Sequence, residues 1–179
     1  PPPSSFSSEM AKADRFEVLR TLSFSSERLS QSTPSPRRDF KLASDDTLAA
    51  LEQLFRGKCA FCESRRPINA RLFRPAEEAE PLARSEFAHL YYSWLRTDWG
   101  NAYAVCTECA MAAGKQFPTR RADRGPLPAT EHLDAFANEN FGLWRFGHHD
   151  QRLLLDPCED RRFGLHLGFS LDGVVQPLS

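Results

Sequence analysis

The chain has 179 residues, 41% of them hydrophobic, which is the size of one domain with some ornament and enough apolar content for a real core. Its 23 basic and 24 acidic residues leave a formal net charge of -1, which argues against non-specific nucleic-acid binding by the whole surface and leaves room for a local basic patch. No apolar run approaches the roughly 20 residues that span a bilayer, and the opening Pro-Pro-Pro-Ser-Ser lacks the charged and apolar regions of a signal peptide.

Residues 1–43 read as an N-terminal arm. Within it Ser8 suits a helix cap, and Met10, Phe16, Leu19 and Leu22 follow helical spacing; a polar, proline-punctuated linker (SQSTPSPRR, 30–38) comes after. The arm either docks on a partner chain or lies on the domain as an ordinary stabilising helix, and the second is the simpler expectation. The chain opens on Pro1 rather than methionine, which suggests residues upstream.

Residues 44–179 read as one domain that is expected to continue past Ser179. A helix is predicted over 45–56, with Ser44 as N-cap, Asp45 and Asp46 at the positive end of its dipole and Gly57 as its stop. Leu48, Leu51, Leu54 and Phe55 form its apolar face. An extended segment is predicted over 67–75 and an acidic, solvated loop over 77–80. A second helix is predicted over 85–95, burying Phe87, Leu90, Tyr91, Trp94 and Leu95. Residues 103–105 read as a short strand, and a helix is expected to begin at 110–114. Near the end, residues 166–175 read as a hairpin turning at Asp172-Gly173.

Two cysteine pairs carry the strongest chemical signal: Cys59-Ala-Phe-Cys62 and Cys106-Thr-Glu-Cys109. A two-residue spacing lets both sulfurs of one tight turn face a single ion, and two such knuckles supply the four thiolates that structural zinc prefers. Two disulfides or four unrelated core thiols would not explain the paired spacing. One structural zinc per chain is therefore expected on Cys59, Cys62, Cys106 and Cys109, and metal-bound cysteines fit a reducing cytoplasm.

An ordered series of residues carries a family resemblance. It runs Gly57-Lys-Cys-Ala-Phe-Cys-Glu63, Phe73-Arg74-Pro75, Trp94-Leu95, Trp99, Asn101, Cys106-x-x-Cys109, Gly114-Lys115 and Phe117-Pro118. Leu153-Leu-Leu-Asp-Pro-Cys158 and the hairpin from His166 complete it. From about Asp45 onward the chain resembles the HNH endonucleases of bacterial anti-phage systems, the nuclease subunit of Septu and related retron systems. The resemblance implies an α+β fold: a zinc-stapled treble clef, or ββα-metal, HNH-like domain with added helices and a C-terminal hairpin. It also implies a defence context and a protein partner, a defence ATPase.

The departures from that pattern bear on activity. The family places an acidic residue and then the general-base histidine before Phe-Arg-Pro; here Arg71 and Leu72 precede Phe73-Arg74-Pro75. Leucine cannot take a proton from water, and an arginine repels the divalent ion that its acidic counterpart would help to hold. The asparagine expected after the last cysteine is Ala110, which offers no side-chain oxygen and is the one change that could have been engineered. Zinc holds such a fold whether or not the site works.

Other constellations are weaker. His148-His149-Asp150 is the one concentrated metal-like cluster outside the knuckles, and an exposed loop is the simpler reading. His89 reads as a packing residue, His132 as solvated, and Cys158 as a buried structural thiol. Trp94, Trp99, Trp144 and Phe146 read as core. Arg65, Arg66, Arg71 and Arg74 flank the extended segment, and Lys115, Arg120, Arg121 and Arg124 follow the second knuckle. These are the candidate DNA contacts, against a solvated surface balanced by Glu77, Glu78 and Glu80. The resulting expectation is a catalytically degenerate HNH-type zinc module that binds or scaffolds, without a membrane segment. The alternatives are an active metal-dependent DNA endonuclease with replacement ligands and a DNA sensor that does not cut.

Overall fold

The computed structural model describes residues 1–23, 40–75, 90–114, 117–120, 152–159, 163–171 and 175–178. Among them a two-stranded antiparallel sheet runs through the middle of the core. Strand β1 (Ile68–Leu72) pairs with β2 (Ala102–Cys106) in a register from Ile68 opposite Cys106 to Leu72 opposite Ala102. All five residues of β2 are buried. Its side chains alternate between two apolar clusters, as the period of two requires. Tyr103 and Val105 join Phe73, Tyr91, Tyr92, Trp94, Leu95 and Phe117 on one side. Ala102 and Ala104 face Phe6, Ala11, Phe40 and Leu51 on the other.

The N-terminal segment is part of this second cluster. A 3-10 turn at Ser4–Ser7 drives Phe6 to 0% exposure, edge-on to Phe40 (5.0 Å between ring centroids) and Trp99 (5.3 Å). Helix α1 (Glu9–Leu22) follows, with the Ser8 hydroxyl accepting the Ala11 N–H at 3.2 Å. Its buried face is Ala11, Asp14, Arg15, Val18 and Thr21, with Leu19 and Leu22 packed beside it. Met10 and Phe16, expected on that face, are 50% and 66% exposed. The reason is polar: Arg15 donates to the Phe6 carbonyl at 3.1 Å and Asp14 accepts the Phe40 N–H at 3.0 Å, so two charged residues sit inside, each bonded to the backbone.

Helix α2 (Asp45–Leu54) ends two residues earlier than expected, as Arg56 and Gly57 both take positive φ (56° and 67°) and turn the chain toward Cys59. Thr47 and Leu51 are buried, while Leu54 is exposed rather than apolar-face. Ser44 does not cap the helix through its side chain. Its hydroxyl donates to Asp46 at 2.7 Å, and Asp46 accepts the Thr47 N–H at 2.9 Å, the Ser5 N–H at 2.8 Å and the Ser4 hydroxyl at 3.0 Å. One carboxylate thus serves the first turn of α2 and the N-terminal segment together.

Residues 90–95 are not helical in the manner expected. Tyr92 takes a left-handed φ of 60°, and only a short 3-10 turn (Ser93–Leu95) forms. Leu90, Tyr91, Trp94 and Leu95 are nonetheless buried, as is every residue between them, while Phe87 lies outside the described residues. The left-handed Tyr92 breaks the helical path, and burial here runs without a break rather than along one face. Buried Asn101 closes the excursion between the strands. It accepts the Arg74 N–H at 2.8 Å and donates to the carbonyls of Arg74 (2.9 Å) and Leu95 (3.1 Å).

Helix α3 (Thr107–Ala113) follows β2 without a loop and stops at Gly114, whose φ is +59°. Farther along, buried Asp156 accepts the Tyr103 hydroxyl at 2.6 Å and the Cys158 and Glu159 N–H groups at 2.9 and 3.2 Å, fastening this segment to β2. Burial, with the Asp156 carboxylate beside it, pushes the Tyr103 hydroxyl well above its usual pKa. Cys158 itself is exposed, contrary to the expectation of a buried thiol, because the turn at Asp156-Pro157 buries the carboxylate instead. Strands β3 (Leu167–Phe169) and β4 (Val175–Pro177) form the C-terminal hairpin. Its predicted turn at Asp172-Gly173 lies outside the described residues, as do the linker at 30–38 and the acidic loop at 77–80.

The Asp46 network gives a pH test. The Ser44 hydroxyl, with the other donors, lowers this carboxyl from 3.8 to about 2. Since the folded value is the lower one, the stabilisation is full above the ordinary carboxyl range and is lost as pH falls through about 2. Asp46→Asn is expected to cost about 1 kcal/mol near neutral pH. In denaturant unfolding, that gap should close toward pH 2; a gap independent of pH would contradict the network's role.

Candidate metal centre and the adjoining cleft

The first knuckle is built by backbone bonds. The Cys59 N–H donates to the Ser64 carbonyl at 3.0 Å and the Glu63 N–H to the Cys59 carbonyl at 3.0 Å, with Glu63 at φ 55°. The Ala60 N–H reaches the Ala104 carbonyl at 2.8 Å and so moors the knuckle on β2. The second knuckle is the junction of β2 and α3: Cys106 ends the strand, and one helical turn brings Cys109 back to the same side. The four sulfurs lie within 4.8 Å of one another.

Their chemistry fits a divalent ion. All four are free thiols, and the Sγ atoms of Cys62 and Cys106 are 3.8 Å apart. A tetrahedral ion with bonds of about 2.3 Å to sulfur sets neighbouring sulfurs about 3.8 Å apart, whereas a disulfide needs about 2.05 Å. The Cys106 N–H points at Cys59 Sγ at 3.4 Å, a donor suited to a thiolate. The backbone N–H of Ser64 is the main cause that lowers the Cys62 thiol to about 6. Burial, with the neighbouring thiols, pushes Cys109 the other way. Four sulfurs this close do not all ionise alone, and a cation among them removes the conflict.

Beside this centre, a narrow cleft opens between the sheet and α3, lined by Phe61, Arg71, Leu72, Phe73, Tyr103, Val105, Ala113 and Leu154. Arg71 carries the one charge among these residues. Its guanidinium crosses from β1 to the end of α3, donating to the Ala110 carbonyl at 3.0 Å and also to the Gly114 carbonyl. A cation placed on the last carbonyls of a helix satisfies them and opposes the helix dipole. Leu72 contributes only hydrocarbon, and Ala110 is engaged through its backbone oxygen.

The candidate DNA contacts separate. Arg65 and Arg120 are exposed. Arg66 is exposed but ion-paired to Glu108. Arg71 is spent on α3, and Arg74 is only 5% exposed, with its guanidinium over the Phe73 and Phe117 rings at 5.5 and 5.1 Å. Lys115, Arg121 and Arg124 lie outside the described residues, as do His89, His132, Trp144, Phe146 and the cluster of His148, His149 and Asp150. The sequence reading did not single out Glu108, Ser64 or Asp156. The glutamate between two ligand cysteines was the one visible signal.

Two substitutions test this geometry. Cys59→Ser is expected to abolish metal retention and leave an unfolded or aggregating product, since closed four-cysteine sites contribute on the order of 10 kcal/mol to small domains. Unchanged melting of that variant would contradict a structural metal. Arg71→Met keeps the stem and removes the guanidinium. It is expected to cost about 1–2 kcal/mol in denaturant unfolding, and an unchanged midpoint would mean that the bonds to α3 do not matter.

No protein-family profile matches the chain, and no solved structure does. An alignment of 134 positions, covering 70% of the chain, is 27% identical to the Septu protein PtuB of Bacillus mycoides (strain KBAB4). It spans 39% of the length of that relative.

Proposed function

We propose that this chain is a zinc-stapled module of the HNH type whose cutting centre has been lost, and that it binds or scaffolds within an anti-phage defence assembly. The observation that carries the reading is Arg71. In a working nuclease of this design, the floor between β1 and the following helix holds a hydrolytic metal, which needs oxygen or nitrogen ligands and a nearby general base. Here that floor carries a guanidinium bonded across to Ala110 and Gly114, with Leu72 beside it. A fixed positive charge disfavours a second cation at the same place. Zinc on Cys59, Cys62, Cys106 and Cys109 then serves the fold alone, in a treble-clef arrangement of knuckle, hairpin and helix.

The defence role and a protein partner are supported by the similarity to a Septu protein, and an ATPase as that partner is implied by the family resemblance alone. No helix among the described residues is long and apolar enough to cross a membrane. Exposed Arg65 and Arg120 leave a modest basic surface for DNA.

The test is cleavage of supercoiled plasmid with magnesium or manganese, run on protein whose zinc content has been measured. Loss of a general base alone typically removes about 10²- to 10⁴-fold in rate. The expected result is one zinc per chain and no nicking above background. Robust metal-dependent cutting by the unmodified chain would overturn the reading.

A further inference from the structure

We infer that Arg66 and Glu108 form an outer clasp on the four-cysteine centre, Arg66 favouring retention of the metal and Glu108 opposing it. The inference rests on reading the four sulfurs as a metal site. Arg66 follows the first knuckle, and Glu108 lies between Cys106 and Cys109 in the second. Their side chains meet as an ion pair, the Arg66 Nη1 on the Glu108 Oε1, so the contact bridges the two halves of the site from outside.

The charges explain why such a bridge matters here. A divalent ion on four thiolates leaves a net charge of about -2. A glutamate in the same knuckle adds another negative charge beside the sulfurs, and the arginine cancels it. Glu108 is two residues from Cys106 and one from Cys109, and Arg66 is paired to it, so both charges belong to the edge of the sulfur cluster.

The pair is 52% and 62% exposed, so as a surface salt bridge it adds little to folding. Its leverage is on the charge beside the centre, which attracts or repels the net negative charge of the loaded site. Partners just outside a ligand set commonly change metal affinity about 10- to 100-fold. The same contact turns Arg66 away from the role of a phosphate ligand.

The experiment compares the whole chain with Arg66→Gln, Glu108→Gln and the double variant. Each is loaded with zinc, checked for one zinc per chain, and mixed with excess chromogenic chelator. Arg66→Gln is expected to release zinc about 10-fold faster, Glu108→Gln more slowly than the unmodified chain, and the double variant close to it. The differences should shrink as salt is raised, because exposed charges are screened. Equal release rates, or both single variants shifting in the same direction, would overturn the clasp while leaving the zinc centre standing. Absence of zinc from the unmodified chain would overturn the centre and the clasp together.

Discussion

The antiparallel pairing of β1 with β2 is the constraint on which the rest of this structure depends. It sets Ile68 opposite Cys106 and, through the Ala60–Ala104 bond, hangs the first knuckle on the same strand that ends in the second. Four sulfurs far apart in sequence then lie within 4.8 Å. A metal there ties α2, the sheet and α3 into one unit at a single point. In the unfolded chain no such set of donors exists, so binding free energy becomes folding free energy.

Strand β2 also divides the interior. Its small residues, Ala102 and Ala104, let the N-terminal segment and α2 approach closely, while Tyr103 and Val105 fill the aromatic side with Phe73, Tyr92 and Phe117. The polar bonds follow this division. Arg15, Asp14 and Asp46 fasten the N-terminal segment on one face, and Asp156 fastens the segment after residue 152 on the other through Tyr103. The cleft between sheet and α3 lies next to the metal centre and is closed by Arg71. The charge on the cleft floor is given over to the last carbonyls of a helix.

Much of this was legible in the sequence, and the failures have physical causes. The cysteine spacing identified the four sulfurs, and α2, β1, β2 and the strands of the C-terminal hairpin fall near their predicted places, whereas α3 starts at Thr107, inside the second knuckle, and ends where it was expected to begin. The face of α1 was misread because burial there is decided by Asp14 and Arg15, whose partners are distant in sequence. Of the helix expected over 85–95, the described part, 90–95, is broken by the left-handed Tyr92, a backbone choice that apolar spacing does not reveal. Arg71 looked from sequence like a simple repulsive charge. Its bonds to Ala110 and Gly114, about forty residues away, appear only once β1 lies against α3. The pairing of Arg66 with Glu108 is equally non-local.

The central claim is that this protein keeps a structural metal and has given up a catalytic one. Anomalous scattering from a crystal grown with zinc and soaked in manganese tests it most directly. The account predicts a zinc peak enclosed by Cys59, Cys62, Cys106 and Cys109, and no manganese in the cleft beside Leu72. A manganese peak between Leu72 and Ala110, with the Arg71 guanidinium swung away from α3, would contradict it.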